Sequence, residues 1–92
     1  MGKYSINKVP SDILISIAQN VSKLRKEKGW TQRDLAKKSG VSFGSIKRFE
    51  RSGQISFESL LKIVEALNRL SEFENLLILS KDNQRIKQLF NS

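Results

Sequence analysis

The 92-residue chain contains no cysteine and no histidine. Their absence excludes thiolate and imidazole metal sites, a disulfide framework, a cysteine nucleophile and a Ser-His-Asp triad. Proline occurs once, at Pro10, ahead of the first helical pattern. No stretch approaches the ~20 apolar residues that a bilayer-spanning helix needs, so a soluble cytoplasmic protein without membrane partner, metal or cofactor is expected. The segment before Pro10 has only isolated apolar residues and reads as a flexible arm over residues 1–10, neither signal peptide nor anchor. Met1-Gly2 lacks the Ser or Thr at position 6 that myristoylation wants, since Ile6 stands there. Asn20-Val21-Ser22 matches a glycosylation acceptor but falls inside a helical pattern.

What is present is positive charge. Lys and Arg number 17 against 9 Asp and Glu, a net charge of +8. The excess is concentrated: residues 23–53 hold ten basic and three acidic residues, whereas residues 54–92 hold five of each. A basic domain with its charge gathered in one third of the chain has the electrostatic footprint of a nucleic-acid binder. A membrane-surface helix would need a contiguous apolar face, and here the charge spans two turn signals.

Apolar periodicity and turn residues predict an all-α fold. Ile13, Leu14, Ile17, Ala18, Val21 and Leu24 form a 3.6-residue stripe, with Ser11 or Asp12 as cap and Gly29 as stop. Thr31 and Asp34 have the spacing of a capping box, and Gly40 ends that second helix. Ser42 caps a third helix with Ile46 and Phe49 inward and Gly53 at its end. Ser56 caps a fourth with Phe57, Leu60, Leu61, Val64 and Leu67 on its buried side. Ser71 and Glu74 suggest a capping box for a fifth, through Phe73, Leu76 and Leu77, followed by a short amphipathic tail with Ile86, Leu89 and Phe90. The organisation expected is a single five-helix domain, with the DNA-binding unit at 11–70 and a C-terminal helix and tail at 71–92.

Two short helices joined at Gly40-Val41-Ser42 inside the basic segment have the arrangement of a helix-turn-helix, which places its second helix in the DNA major groove. The run from Leu24 to Ala36, with Trp30, Thr31, Gln32 and Leu35, then Ser39-Gly40-Val41-Ser42 and Ile46 to Arg51, resembles the phage lambda-repressor and Cro-like helix-turn-helix family over roughly residues 13–68. The resemblance implies a prokaryotic or phage-encoded regulator binding double-stranded DNA. It implies that Gln32 bonds a phosphate and buttresses the recognition helix, and that Arg25 and Glu50 form a structural ion pair tying the first helix to the third.

On the third helix, Phe43, Gly44, Lys47 and Arg48 are the candidates for base readout. Arg48 suits bidentate bonding to guanine O6 and N7, and Lys47 a phosphate or guanine. Phe43 fits either a thymine methyl or the core, and Gly44 a close backbone approach. Candidate phosphate contacts are Gln32, Arg33, Ser42, Ser45, Lys26, Lys28 and Arg51, with Lys23, Lys37 and Lys38 also available. Trp30, at a helix junction, reads as core rather than as a stacking platform.

Leu76-Leu77-Ile78-Leu79 offers more apolar surface than one helix face can bury. Phe73, Leu76, Leu77, Leu79, Leu89 and Phe90 are therefore expected at a dimer or partner interface. Two functions follow as expectations: a homodimeric, sequence-specific repressor, or the antitoxin of a toxin-antitoxin pair that binds a kinase-type toxin through its C-terminal region. Ser59-Leu60-Leu61-Lys62 has Ser-x-x-Lys spacing, but the other acylase motifs are missing and no enzymatic activity is expected.

Overall fold

A computed structural model describes residues 8–79. Among these, four α-helices carry the fold: α1 Pro10–Glu27, α2 Gln32–Ser39, α3 Phe43–Ser52 and α4 Phe57–Ala66, followed by a short 3-10 turn at Leu70–Phe73. Residues 1–7 of the expected arm, and Ile86, Leu89 and Phe90 of the expected tail, lie outside the described residues.

Local side-chain chemistry explains where each helix starts. Ahead of α1, Pro10 takes the first helical position, where its missing N–H costs nothing, and the Asp12 carboxylate accepts from the Val9 N–H at 3.2 Å. The cap is therefore the backbone of Val9, not the expected Ser11 or Asp12, although Asp12 still takes part from the first turn. For α2 the capping box is complete: the Asp34 N–H donates to Thr31 Oγ1 at 3.0 Å and the Thr31 N–H to Asp34 Oδ2 at 2.8 Å. These bonds hold the exposed Asp34 carboxyl below its ordinary range, with Lys37 and Lys38 adding a smaller pull in the same direction. Ser42 and Ser56 cap α3 and α4 through bonds from the Ser45 and Ser59 amides, both at 3.1 Å.

Ala18 and Val21 of α1, Leu35 of α2, Val41 of the turn, Ile46 and Phe49 of α3, and Leu60, Ile63, Val64 and Leu67 of α4 make the core. Ile17, Leu24, Trp30, Ile55 and Phe73 pack against it from the edge.

Three packing expectations need correction. Ile13 and Leu14 are exposed rather than buried, and so is Ile15. The backbone of Leu14 nevertheless lies against Gly53 at the end of α3, so this turn of α1 touches the body while the side chains of Ile13, Leu14 and Ile15 remain 42–44% exposed. On α4, Phe57 is exposed and pairs with the Phe73 ring at 6.3 Å, whereas Ile63, absent from the expected inward set, is fully buried.

The fifth helix is the third correction. After Asn68, which sits at φ 62°, the chain makes a single 3-10 turn with no side-chain cap, and Leu77 then adopts φ 65°, which no helix accommodates. A short helix forms only where packing of one face supports it. The consecutive Leu76-Leu77-Ile78-Leu79 offers no one-sided stripe, and only Phe73 and Ile78 of this segment turn partly inward.

Candidate nucleic-acid interface

The attitude of α3 on the body is set by a buried ion pair. Arg25, on the last turn of α1, donates through Nε to Glu50 Oε2 at 2.8 Å and through Nη2 to Glu50 Oε1 at 3.0 Å, a bidentate fork. Its Nη1 donates to the Trp30 carbonyl at 2.7 Å, so the same guanidinium also pins the α1–α2 turn. Both side chains are more than nine-tenths buried. Gln32, at the first position of α2, donates from Nε2 to Glu50 Oε1 at 3.0 Å. Three segments of chain thus converge on one carboxylate. Burial raises the carboxyl pKa of Glu50, but the Arg25 and Gln32 donors together outweigh it and hold the group below the ordinary carboxylate range. Gln32 thus ties the start of α2 to α3 with one of its two amide N–H donors, and the other has no partner among the described residues.

With Ile46, Phe49 and Glu50 turned inward, the other side of α3 carries Gly44, Ser45, Lys47, Arg48 and Arg51, all exposed. Helical spacing puts 44, 47, 48 and 51 on a face opposite the core. Ser42 and Ser45 bond each other, hydroxyl to hydroxyl, at 2.8 Å. A methyl group added at Gly44 would meet nothing within 4 Å, so no neighbour crowds this turn of the helix.

Five of the ten basic residues of 23–53 gather in three small groups. Lys28 and Lys38 stand over the Trp30 ring, their Nζ atoms 5.3 and 4.8 Å from its centroid. Trp30 is half-buried, with part of its ring on the core and part under these ammonium groups. Arg33 and Lys47 stand over the Phe43 ring at 4.1 and 5.3 Å. Phe43 is half-buried and lies outside the core cluster, its ring set against Arg33 of α2. Arg48 donates from Nη2 to Gln54 Oε1. Lys26, on the exposed side of the last turn of α1, belongs to none of the groups.

Gln54 is a residue that the sequence does not single out. With Ser45, Arg48, Ile55, Ser56 and Ser59 it lines a shallow cleft of about 350 Å³ between α3 and the start of α4. Nothing in the local pattern marks Gln54, because its link to Arg48 crosses the Gly53 turn.

At the C-terminal end, Leu76, Leu77 and Leu79 are exposed, Leu77 completely. Phe73 differs from them: it is half-buried against the core and paired with Phe57, so its ring already has a partner within the fold. Among the described residues no helix is long and apolar enough to cross a membrane.

Searches of curated proteins and of solved structures returned no match. A family model described as Helix-turn-helix matches residues 21–75, which takes in α2, the Gly40 turn, α3 with its Arg25–Glu50 clamp, and α4. With that match over more than half of its length, the chain belongs to the Cro/C1-type helix-turn-helix family of DNA-binding transcription regulators.

Proposed function

We propose that the protein is a homodimeric repressor that inserts α3 into the major groove of a pseudo-palindromic operator and blocks promoter access by occupancy, without catalysis. The observation that carries this reading is the clamp of Arg25, Gln32 and Glu50 beneath α3. It ties α3 to α1 and α2 while Lys47, Arg48 and Gly44 stay exposed on the opposite face. Preorganised donors lose little freedom on docking, which is what base discrimination requires.

Selection from a random duplex pool at two salt concentrations tests the reading. A two-fold symmetric consensus that survives high salt is the expected result; binding that vanishes with salt and yields no consensus overturns it. On the selected site, Arg48→Ala should relax preference at one base position at a cost of about 1–3 kcal/mol. Lys26→Ala should weaken all duplexes alike and reduce the salt slope by about 0.9. Titration of both variants against matched and scrambled duplexes checks this.

Dimerisation is supported by the exposed Leu76, Leu77 and Leu79, an apolar patch that water does not favour. A two-fold dimer presents its recognition helices to successive major-groove faces about 34 Å apart. Leu77→Asp should shift the protein from dimer to monomer in sedimentation, and an unchanged mass would rule out this surface. The same leucines fit a second reading, an antitoxin that covers them with a toxin and binds its own operator. A one-to-one complex with the product of an adjacent gene, lost in Leu77→Asp, would favour that reading over the free-standing repressor.

A further inference from the structure

Arg33 stands on α2, outside the recognition helix, yet its guanidinium carbon lies 4.1 Å from the centroid of the Phe43 ring at the first position of α3. Among the described residues Arg33 makes no ion pair, whereas Arg25 is fully engaged by Glu50 and Arg48 is tied to Gln54. A guanidinium over an aromatic ring uses its π face for the contact and keeps its planar fork of N–H donors for another acceptor. Phe43 has no place in the core, and Lys47 at 5.3 Å adds a second cation to the same ring. An apolar ring half-exposed beneath two cations, beside the exposed face of α3, is arranged for a ligand with both apolar and acceptor features.

We propose that Arg33 and Phe43 act as one unit that reads a thymine–guanine step, Phe43 meeting the thymine C5-methyl and Arg33 bonding O6 and N7 of the neighbouring guanine. The inference rests on the proposed role of α3 as the recognition helix. Chemistry supports it, because the thymine methyl is the apolar feature of the major groove and guanine presents two adjacent acceptors there. The stack also restricts the long Arg33 side chain before binding, which lowers the entropy lost on docking.

The test uses the full chain and the duplex recovered by selection. Deoxyuridine in place of the thymidine removes only the methyl group, and 7-deazaguanine in place of the guanine removes only N7. Wild-type affinity should fall about tenfold on 7-deazaguanine and about three- to tenfold on deoxyuridine. Phe43→Ala should be indifferent to deoxyuridine, and Arg33→Ala indifferent to 7-deazaguanine while binding the parent site about tenfold more weakly. Circular dichroism melting of both variants confirms that each is folded at the assay temperature. A selected consensus without a thymine–guanine step overturns the inference and leaves the operator reading intact. So does an Arg33→Ala variant that still loses as much affinity on 7-deazaguanine as the wild type, which marks Arg33 as a phosphate contact. Absence of any consensus overturns the operator reading itself and the inference with it.

Discussion

Glu50→Ala is expected to lower the free energy of unfolding by about 3–5 kcal/mol, because it leaves the Arg25 guanidinium buried without its counter-ion. The Gln32 amide and two of the three Arg25 bonds lose their acceptor at the same time. For a domain of this size such a loss is a large share of total stability, and urea unfolding at neutral pH measures it directly. Replacing both partners together, Arg25→Met with Glu50→Leu, should recover much of the loss, since a well-packed apolar pair needs no desolvation of charge. That double variant separates stability from function. It is expected to fold and yet to bind its operator less selectively, because α3 is then held by packing alone and no longer by a bidentate fork of fixed direction.

The same carboxylate makes stability depend on pH. The folded-state pKa of Glu50 lies below the ordinary value of 4.5. Its contribution is therefore present in full above that value and is lost as the pH falls from there through the folded pKa. Wild-type stability should drop over this acid range, and Glu50→Gln should flatten that part of the profile. A wild-type profile no steeper than that of Glu50→Gln would show that the carboxylate is not favoured in the fold.

Gly53→Ala is the second large effect. Gly53 closes α3 with φ at +81°, in the left-handed region, and an added Cβ would stand 2.9 Å from the Leu14 carbonyl carbon and 3.0 Å from its oxygen. The backbone of α1 is in the way, and it is not a side-chain tip that can swing aside. Left-handed geometry costs roughly 1–2 kcal/mol for a residue with a Cβ, and forcing extra volume into a packed contact costs typically about 1–3 kcal/mol more. A loss of about 2–5 kcal/mol is expected on the sum of these two costs. Gly40→Ala supplies the control: its φ is +77° but nothing lies within 4 Å of the added methyl, so only the first cost applies. Equal melting temperatures for the two variants would mean that the contact between Gly53 and Leu14 does not constrain the fold.

The close approach also explains how far sequence reading reaches. A glycine after a helical pattern reads as a stop signal, and that reading of Gly53 is complete as local chemistry. That α1 passes against this turn depends on how two distant segments pack, and no local pattern records it. The stripe on α1 shows the same boundary. Its 3.6-residue period is plain from Ile13 to Leu24, and the helix forms, but whether a given side chain is covered depends on what packs beside it. Ile13 and Leu14 stay 44% and 42% exposed although the backbone of Leu14 meets Gly53.

At the site, the helix-turn-helix spacing, its caps at Thr31 and Ser42 and the basic character of residues 23–53 are all legible in the sequence, because each is a property of residues near one another in the chain. Arg25 and Glu50, 25 positions apart, are paired only through the family resemblance. The grouping of the cations is not legible at all. Arg33 over Phe43, Lys28 and Lys38 over Trp30, and Arg48 on Gln54 arise where side chains from different segments meet, and charge counting treats these residues as equivalent.

Sequence alone determined the all-helical class, the position of the turn between α2 and α3, and the region where positive charge gathers. These follow from short-range causes: a hydroxyl two or three residues from an amide, a glycine where φ turns positive, a period of 3.6. Tertiary structure decided which apolar residues became core, that Leu76-Leu77-Ile78-Leu79 would not continue as a fifth helix, and which arginines are committed and which are not. Those outcomes depend on the surface each element finds to pack against, and a helix or a side chain without such a surface is left to water whatever its local propensity.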